Sequence, residues 1–122
     1  MGTIRITATF NAIAPENLER FKAAVFELTE LAAAEEGTVE YSYYLTADET
    51  QCLMIETYAS PEALSAHMGN VGHLLGSLFE SGGSVDVNIL GDAPDALIEA
   101  TKDFQPTMYS LLASAQLRSR AP

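Results

Sequence analysis

The sequence predicts a single α+β domain in which an antiparallel sheet is covered by helices. Four segments alternate apolar and polar side chains with the period of two that is typical of half-buried strands. Two longer segments repeat apolar residues at spacings of three and four, as amphipathic helices do. Their order along the 122 residues is strand, helix, strand, strand, helix, strand, and this length suits one domain.

The first strand and the first helix have regular patterns. The strand is predicted from four alternating apolar residues, namely Ile4, Ile6, Ala8 and Phe10. The helix begins near Pro15, because proline suits a first helical turn. Its apolar face comprises Leu18, Phe21, Val25, Leu28 and Ala32. We expect it to end near Glu36, with Gly37 in a left-handed conformation.

A hairpin follows the first helix. Its strands are predicted at residues 38–46 and 51–58, and a short polar connection joins them. In the first strand, Tyr41 and Tyr43 share one face, and Tyr44 lies on the other. In the second strand, one face carries Cys52, Met54 and Glu56, and the opposite face carries Leu53 and Ile55.

The second helical region begins at a clear signal, since Ser60 can cap the helix and Pro61 follows it. We expect a break at Gly69, with Asn70 starting a second helical piece. A last strand spans residues 85–90. The element order is therefore the split βαβ pattern of the ferredoxin-like fold.

Residues 1–91 are predicted to form this domain and residues 92–122 a C-terminal extension. A short helix is expected over residues 95–103, before Pro106. Met108, Tyr109, Leu111 and Leu112 make the extension too apolar for a free tail. We expect it to pack on the domain or on a second subunit.

Helices on one side of the sheet leave the other side uncovered. Because both faces of the hairpin carry large side chains, the uncovered face needs a partner. We therefore predict a homodimer in which two sheets meet as a dimeric α/β barrel. The alternative is a monomer in which the extension covers this face.

Composition limits the classes of partner and compartment. The net charge of −11 repels polyanions, so we expect neither nucleic-acid binding nor an anionic membrane surface as a partner. A lone cysteine excludes an internal disulfide. The absence of a basic, apolar leader and of a long apolar run predicts a cytoplasmic location.

Four local features resemble the antibiotic biosynthesis monooxygenase (ABM) family over about residues 3–91. Helix 1 ends in Glu35-Glu36-Gly37, and the aromatic Tyr41 follows in the next strand. A strand then ends in residues 55–58, which are an apolar residue, a glutamate, a threonine and a tyrosine. The histidines of the second helical region, His67 and His73, complete the resemblance.

The chain also departs from the family pattern. Tyr58 stands where relatives usually have tryptophan, and a glycine-rich run at 69–72 separates histidines that are six residues apart. The lack of tryptophan argues against the haem-degrading branch. The resemblance implies an oxidase of quinols or anthrones, an isomerase of a small sugar derivative, or a non-catalytic binding protein.

His73 is the predicted catalytic base, because cofactor-free oxygenation begins by deprotonating the substrate in a water-poor pocket. Neighbouring leucines and Phe79 would exclude the water, and the alternative is a half-exposed helix histidine. Glu56 is predicted to assist as acid or base if it is buried. It could instead form a structural ion pair with Arg5 or Lys22.

The predicted substrate-binding residues are Tyr58, His67, Tyr41 and Phe79. Tyrosines on strands are often core or interface residues, and His67 could be a packed histidine with one hydrogen bond. We expect no metal and no organic cofactor. The resulting prediction is a cofactor-independent monooxygenase of a small aromatic or quinol compound. The alternatives are a non-catalytic small-molecule-binding or stress-related protein and an oxygen-independent isomerase.

Overall fold

A computed structural model describes residues 2–115 of the chain. The first part comprises β1 (Ile4–Phe10), α1 (Leu18–Ala32), β2 (Thr38–Leu45), β3 (Cys52–Tyr58), α2 (Pro61–Gly82) and β4 (Val85–Leu90). The extension adds α3 (Asp95–Thr101) and β5 (Thr107–Tyr109). Short 3-10 turns precede α1 at Pro15–Asn17 and follow α3 at Lys102–Phe104.

The five strands form one sheet in the order β2-β3-β1-β4-β5. The first four strands pair antiparallel, and β5 joins β4 in parallel. This arrangement confirms the ferredoxin-like α+β fold, with the predicted strands placed to within about one residue. The sheet does not close on itself.

α1 and α2 pack side by side over one face of the sheet, and the core lies between these helices and the sheet. On α1, the buried side chains are Phe21, Ala24, Leu28 and Ala32, which follow helical spacing. The sheet contributes alternating residues of β1, which are Ile4, Ile6, Ala8 and Phe10. The opposite sheet face, here called the open face, carries no helix and includes Arg5, Thr7, Tyr44, Leu53 and Ile55.

Two local predictions are wrong. α2 runs without a break from Pro61 to Gly82, since packing against α1 outweighs the low helix propensity of Gly69. Gly37 has no positive φ value. Glycine is required there for another reason, because a Cβ atom at Gly37 would lie 2.4 Å from the Cβ atom of Ala63.

The extension packs partly on its own domain. Leu97 of α3 is buried in the core, and β5 adds a strand to the sheet edge. Leu111 and Leu112 remain exposed, the latter at 98% of its surface. The last part of the predicted extension, residues 116–122, lies outside the described residues. Within residues 2–115, no helix has both the length and the apolar character to cross a bilayer.

Candidate functional site

Polar side chains that are buried or half-buried converge between α2 and the edge of the sheet that β2 and β3 form. We call this group the buried polar cluster, and it comprises Glu35, Tyr41, Glu56, Tyr58 and His67. A polar cluster inside an apolar core costs free energy unless its members satisfy one another. Every buried side-chain nitrogen and oxygen within the described residues has a hydrogen-bond partner.

Strand alternation and register bring the cluster together. Glu56 and Tyr58 are two residues apart on β3, so both point towards the helices. Tyr41 of β2 lies directly opposite Glu56, and Ile6 of β1 flanks Glu56 on its other side. α2 begins just after β3, where the Ser60 side chain accepts a hydrogen bond from the backbone of Ala63.

His67 is the centre of the cluster and is 2% exposed. Its Nδ1 atom lies 2.8 Å from Oε1 of Glu35, and its Nε2 atom lies 3.8 Å from Oε1 of Glu56. The imidazole also packs against two phenol rings, with centroid distances of 4.9 Å to Tyr41 and 5.1 Å to Tyr58. The ring is thus held between two carboxyl groups and two aromatic faces.

Glu56 is a buried carboxyl group without a lysine or arginine partner among residues 2–115. Burial raises the pKa of Glu56 to about 7, with a further increase from the charge of Glu35 and a partial decrease from the Tyr58 hydrogen bond. The Tyr58 hydroxyl donates that bond to Oε1 of Glu56. A carboxyl group with such a pKa can either give or take a proton near neutral pH.

Glu35 behaves in the opposite way. Burial alone would raise the pKa of its carboxyl group, but hydrogen bonds from Asn70, Thr38 and His67 outweigh this and lower it. Glu35 is therefore ionised at neutral pH. Because an ionised carboxylate only accepts hydrogen bonds, the proton between Glu35 and His67 belongs to Nδ1 of the imidazole.

Most of the predicted site residues meet in this cluster, but Phe79 does not. Its ring centroid lies 5.9 Å from that of Phe10 and 4.7 Å from that of Phe104, so the side chain packs between the core and the extension. The alternative ion pair of Glu56 with Arg5 or Lys22 does not form. Arg5 donates to Thr57, and the Lys22 ammonium pairs with Glu49.

His73 lies apart from the cluster on the exposed side of α2. Because an α-helix turns by about 100° per residue, side chains six residues apart point in directions that differ by about 120° around its axis. A continuous α2 therefore cannot direct both histidines into the core. His73 has no water-poor surroundings of the kind predicted for a base.

Sequence reasoning assigned no site role to Glu35, and it gave Asn70 only the start of a second helical piece. Glu35 contributed only to the family resemblance, and its contact with His67 spans 32 residues of chain. No local spacing predicts such a pairing. The acidic pair before Gly37, of which Glu35 is the first member, was the one signal that could have identified it.

Two cavities lie away from the buried polar cluster. One, of about 180 Å³, separates α2 from α3 and is lined mostly by apolar residues, including Leu64, Met68 and Leu97. The other, of about 720 Å³, lies beside β4 and the extension, near Arg5 and Tyr109. Within residues 2–115, no three acidic, histidine or cysteine side chains form a group that could hold a metal ion.

Comparisons with known proteins agree with the fold. The chain resembles the crystal structure of MupZ from Pseudomonas fluorescens at 23% identity, with a TM-score of 0.72, covering 97% of this chain and 88% of that one. Rv0793 from Mycobacterium tuberculosis matches at 23% identity and a TM-score of 0.64, covering 78% of this chain and 99% of the other.

A putative antibiotic biosynthesis monooxygenase from Caulobacter crescentus is 22% identical, with a TM-score of 0.63, and the match covers 76% of this chain and 92% of that one. No curated protein matches the chain. The family model described as antibiotic biosynthesis monooxygenase matches residues 3–74, which is more than half of the sequence. The chain therefore belongs to the antibiotic biosynthesis monooxygenase family.

Proposed function

We propose that this protein is a cofactor-independent oxygenase of a small aromatic or quinol compound, with Glu56 and His67 as its acid–base pair. One observation carries the proposal: Glu56 is buried, has a pKa of about 7 and lies 3.8 Å from the imidazole of His67. Catalytic hydrogen bonds are often long before substrate binds, so this separation suits a pair that closes on a ligand.

The reaction proposed is the oxidation of an anthrone-type methylene. Ionised Glu56 removes a proton from the activated carbon, and the carbanion passes one electron to molecular oxygen. The two radicals combine into a peroxide, which loses water and leaves a carbonyl group. The substrate thus loses two hydrogens and gains one oxygen atom, and the second oxygen atom leaves as water. His67 would donate the proton that the departing oxygen needs.

The aromatic side chains suit such a substrate. The rings of Tyr41 and Tyr58 border His67, and the hydroxyl of Tyr43 lies 3.0 Å from that of Tyr41. Phenol rings offer flat apolar surfaces with a polar end, which can orient a planar ligand. Entry requires a movement at the β2 edge, where Tyr41 and Tyr43 are half-buried. Phe79 is proposed to pack the core and to take no part in binding.

The test is oxygen uptake with a panel of anthrones and hydroquinones, using the Glu56→Gln, His67→Asn and His73→Ala variants. We expect either change in the pair to lower kcat/KM by about 100-fold or more, because a general acid or base contributes about that factor. His73→Ala alters a histidine outside the cluster and should retain activity. Loss of activity in His73→Ala alone would contradict the assignment and return the role of base to His73.

An oxygen-independent isomerase is the second candidate, because the same acid–base pair can move a proton without oxidation. Turnover that is unchanged under nitrogen would favour it. Ligand binding without any turnover by the folded wild-type protein would instead favour a non-catalytic binding protein.

A homodimer also forms part of the proposal. Within residues 2–115, nothing covers the open face at Tyr44 and Leu53, which are exposed apolar side chains. A second copy of this face would cover them.

A further inference from the structure

We infer that Glu35 is a positioning residue, which fixes the ring orientation and the tautomer of His67 so that Nε2 faces Glu56. The inference rests on the proposed function for its catalytic meaning, but its structural content can be measured independently. It assigns Glu35 a role that its distance from His67 in the sequence does not suggest.

The carboxylate of Glu35 is held on both of its oxygens. Oε1 accepts hydrogen bonds from the Thr38 hydroxyl at 2.6 Å and from Nδ1 of His67 at 2.8 Å. Oε2 accepts a hydrogen bond from the side-chain amide of Asn70 at 2.7 Å. The three donors belong to β2 and α2, so the carboxylate joins two elements and has little freedom to rotate.

The backbone of Glu35 is fixed as well. Its amide donates to the carbonyl oxygen of Ala32 at 3.0 Å, which extends the end of α1 by a turn. Gly37 follows two residues later and allows Ala63 of α2 to approach closely. This close approach brings the carboxylate within reach of His67, one helical turn beyond Ala63.

A fixed Nδ1–H has a direct chemical consequence. The groups facing His67 are Glu35 from the end of α1, Tyr41 from β2, and Glu56 and Tyr58 from β3. With Nδ1 committed to Glu35, Nε2 is the nitrogen that can exchange a proton with Glu56. When Nε2 takes up a proton, the ionised Glu35 stabilises the resulting imidazolium.

The matched variants are Glu35→Ala and Glu36→Ala. Both remove one acidic side chain at the end of α1, but Glu36 is exposed. The measurement is nitrogen NMR of protein labelled with ¹⁵N-histidine, in which His73 serves as an internal reference because the chain has two histidines. We expect wild type and Glu36→Ala to give an Nδ1–H signal for His67, and Glu35→Ala to lose this preference.

Glu35→Gln is the conservative variant, because the amide oxygen can still accept the bond from Nδ1. It should keep the tautomer but lose the charge that stabilises the imidazolium. With an active substrate, kcat should fall at least about 10- to 100-fold in Glu35→Ala, the loss typical of groups that orient a metal-bound histidine. The fall should be smaller in Glu35→Gln, and KM should change little in either variant.

If Glu35→Ala does not fold, Asn70→Ala removes one hydrogen bond to Oε2 and should weaken the Nδ1–H preference in the same direction. The inference would be overturned if His67 keeps its tautomer in folded Glu35→Ala. If Glu35→Ala does not fold, the same result in folded Asn70→Ala would overturn it. Either result would leave the proposed function intact. A lost tautomer together with an inactive wild-type protein would support the positioning role and count against the proposed function.

Discussion

Glu56 is a carboxyl group that the fold keeps away from water, and the described part of the chain gives it no lysine or arginine partner. An isolated buried charge costs several kcal/mol, so such a group commonly keeps its proton instead. The Tyr58 hydrogen bond offsets part of that cost by stabilising the ionised form. The two effects together leave both the protonated and the ionised form of Glu56 populated near neutral pH.

This balance predicts an unusual dependence of stability on pH. Because the pKa of Glu56 rises from 4.5 to about 7 on folding, the folded state holds a proton that the unfolded state has released between these values. Wild-type protein should therefore lose stability relative to Glu56→Gln as pH rises from about 4.5 to 7, by at most about 3 kcal/mol. Chemical denaturation of both proteins across this range measures the difference.

The exposed variant Glu36→Gln is the control and should track the wild-type protein. A constant gap between wild type and Glu56→Gln at every pH would mean that Glu56 ionises normally in the folded state.

At this scale, alternation along β3 placed Glu56 on the same face as Met54 and Cys52, but it left open whether the carboxyl group is buried. The same reasoning could not rank the histidines. Whether His67 or His73 faces the core depends on the continuity of α2, which the glycine at 69 made ambiguous. The link from His67 to Glu35 depends on tertiary packing and has no local signal.

At the scale of elements, α2 is a helix that contains several glycines and yet remains unbroken. Gly69, Gly72 and Gly76 each have open space where a Cβ atom would lie. Gly37 differs, because its Cβ atom would overlap the side chain of Ala63. Glycine is therefore required between α1 and β2, and dispensable at positions 69, 72 and 76 of α2.

Gly37→Ala and Gly76→Ala make the same chemical change at these two kinds of position. Gly37→Ala should destabilise the fold by about 1–3 kcal/mol, as overpacking commonly does. Gly76→Ala should stabilise it by up to about 1 kcal/mol through helix propensity. Thermal or urea unfolding compares them, and equal effects of the same sign would contradict the packing argument for Gly37.

β1, β3, β4 and α1 were predictable because one side of each is buried, which imposes a period on the sequence. β5 was not, because three exposed residues carry no such period. It is recognisable only from its pairing with β4. The docking of α3 through Leu97 likewise depends on a surface that other elements build.

At the scale of the whole molecule, the open face leaves apolar side chains of the sheet exposed within residues 2–115. Leu53 is 40% exposed there, beside the half-exposed ring of Tyr44. The proposed dimer would bury both side chains. Because each chain carries a net charge of −11, association should also strengthen as salt screens the repulsion.

Leu53→Glu should dissociate this dimer, because it places a charge within the buried contact. The matched control is Phe26→Glu, which changes an apolar side chain that is 68% exposed on the helical side. Sedimentation velocity at low and moderate salt measures both. A dimer that survives Leu53→Glu and dissociates in Phe26→Glu would place the interface on the helices.

Cys52 lies on the helical face of β3, 2% exposed, and is the one thiol of the chain. Burial raises the pKa of this thiol to about 11, with a small opposing effect from a backbone hydrogen bond. Since the thiolate is the reactive form, the thiol in the folded protein should resist alkylation and oxidation. Its labelling by a thiol reagent would then count the molecules whose core has opened, which makes Cys52 a built-in reporter of unfolding.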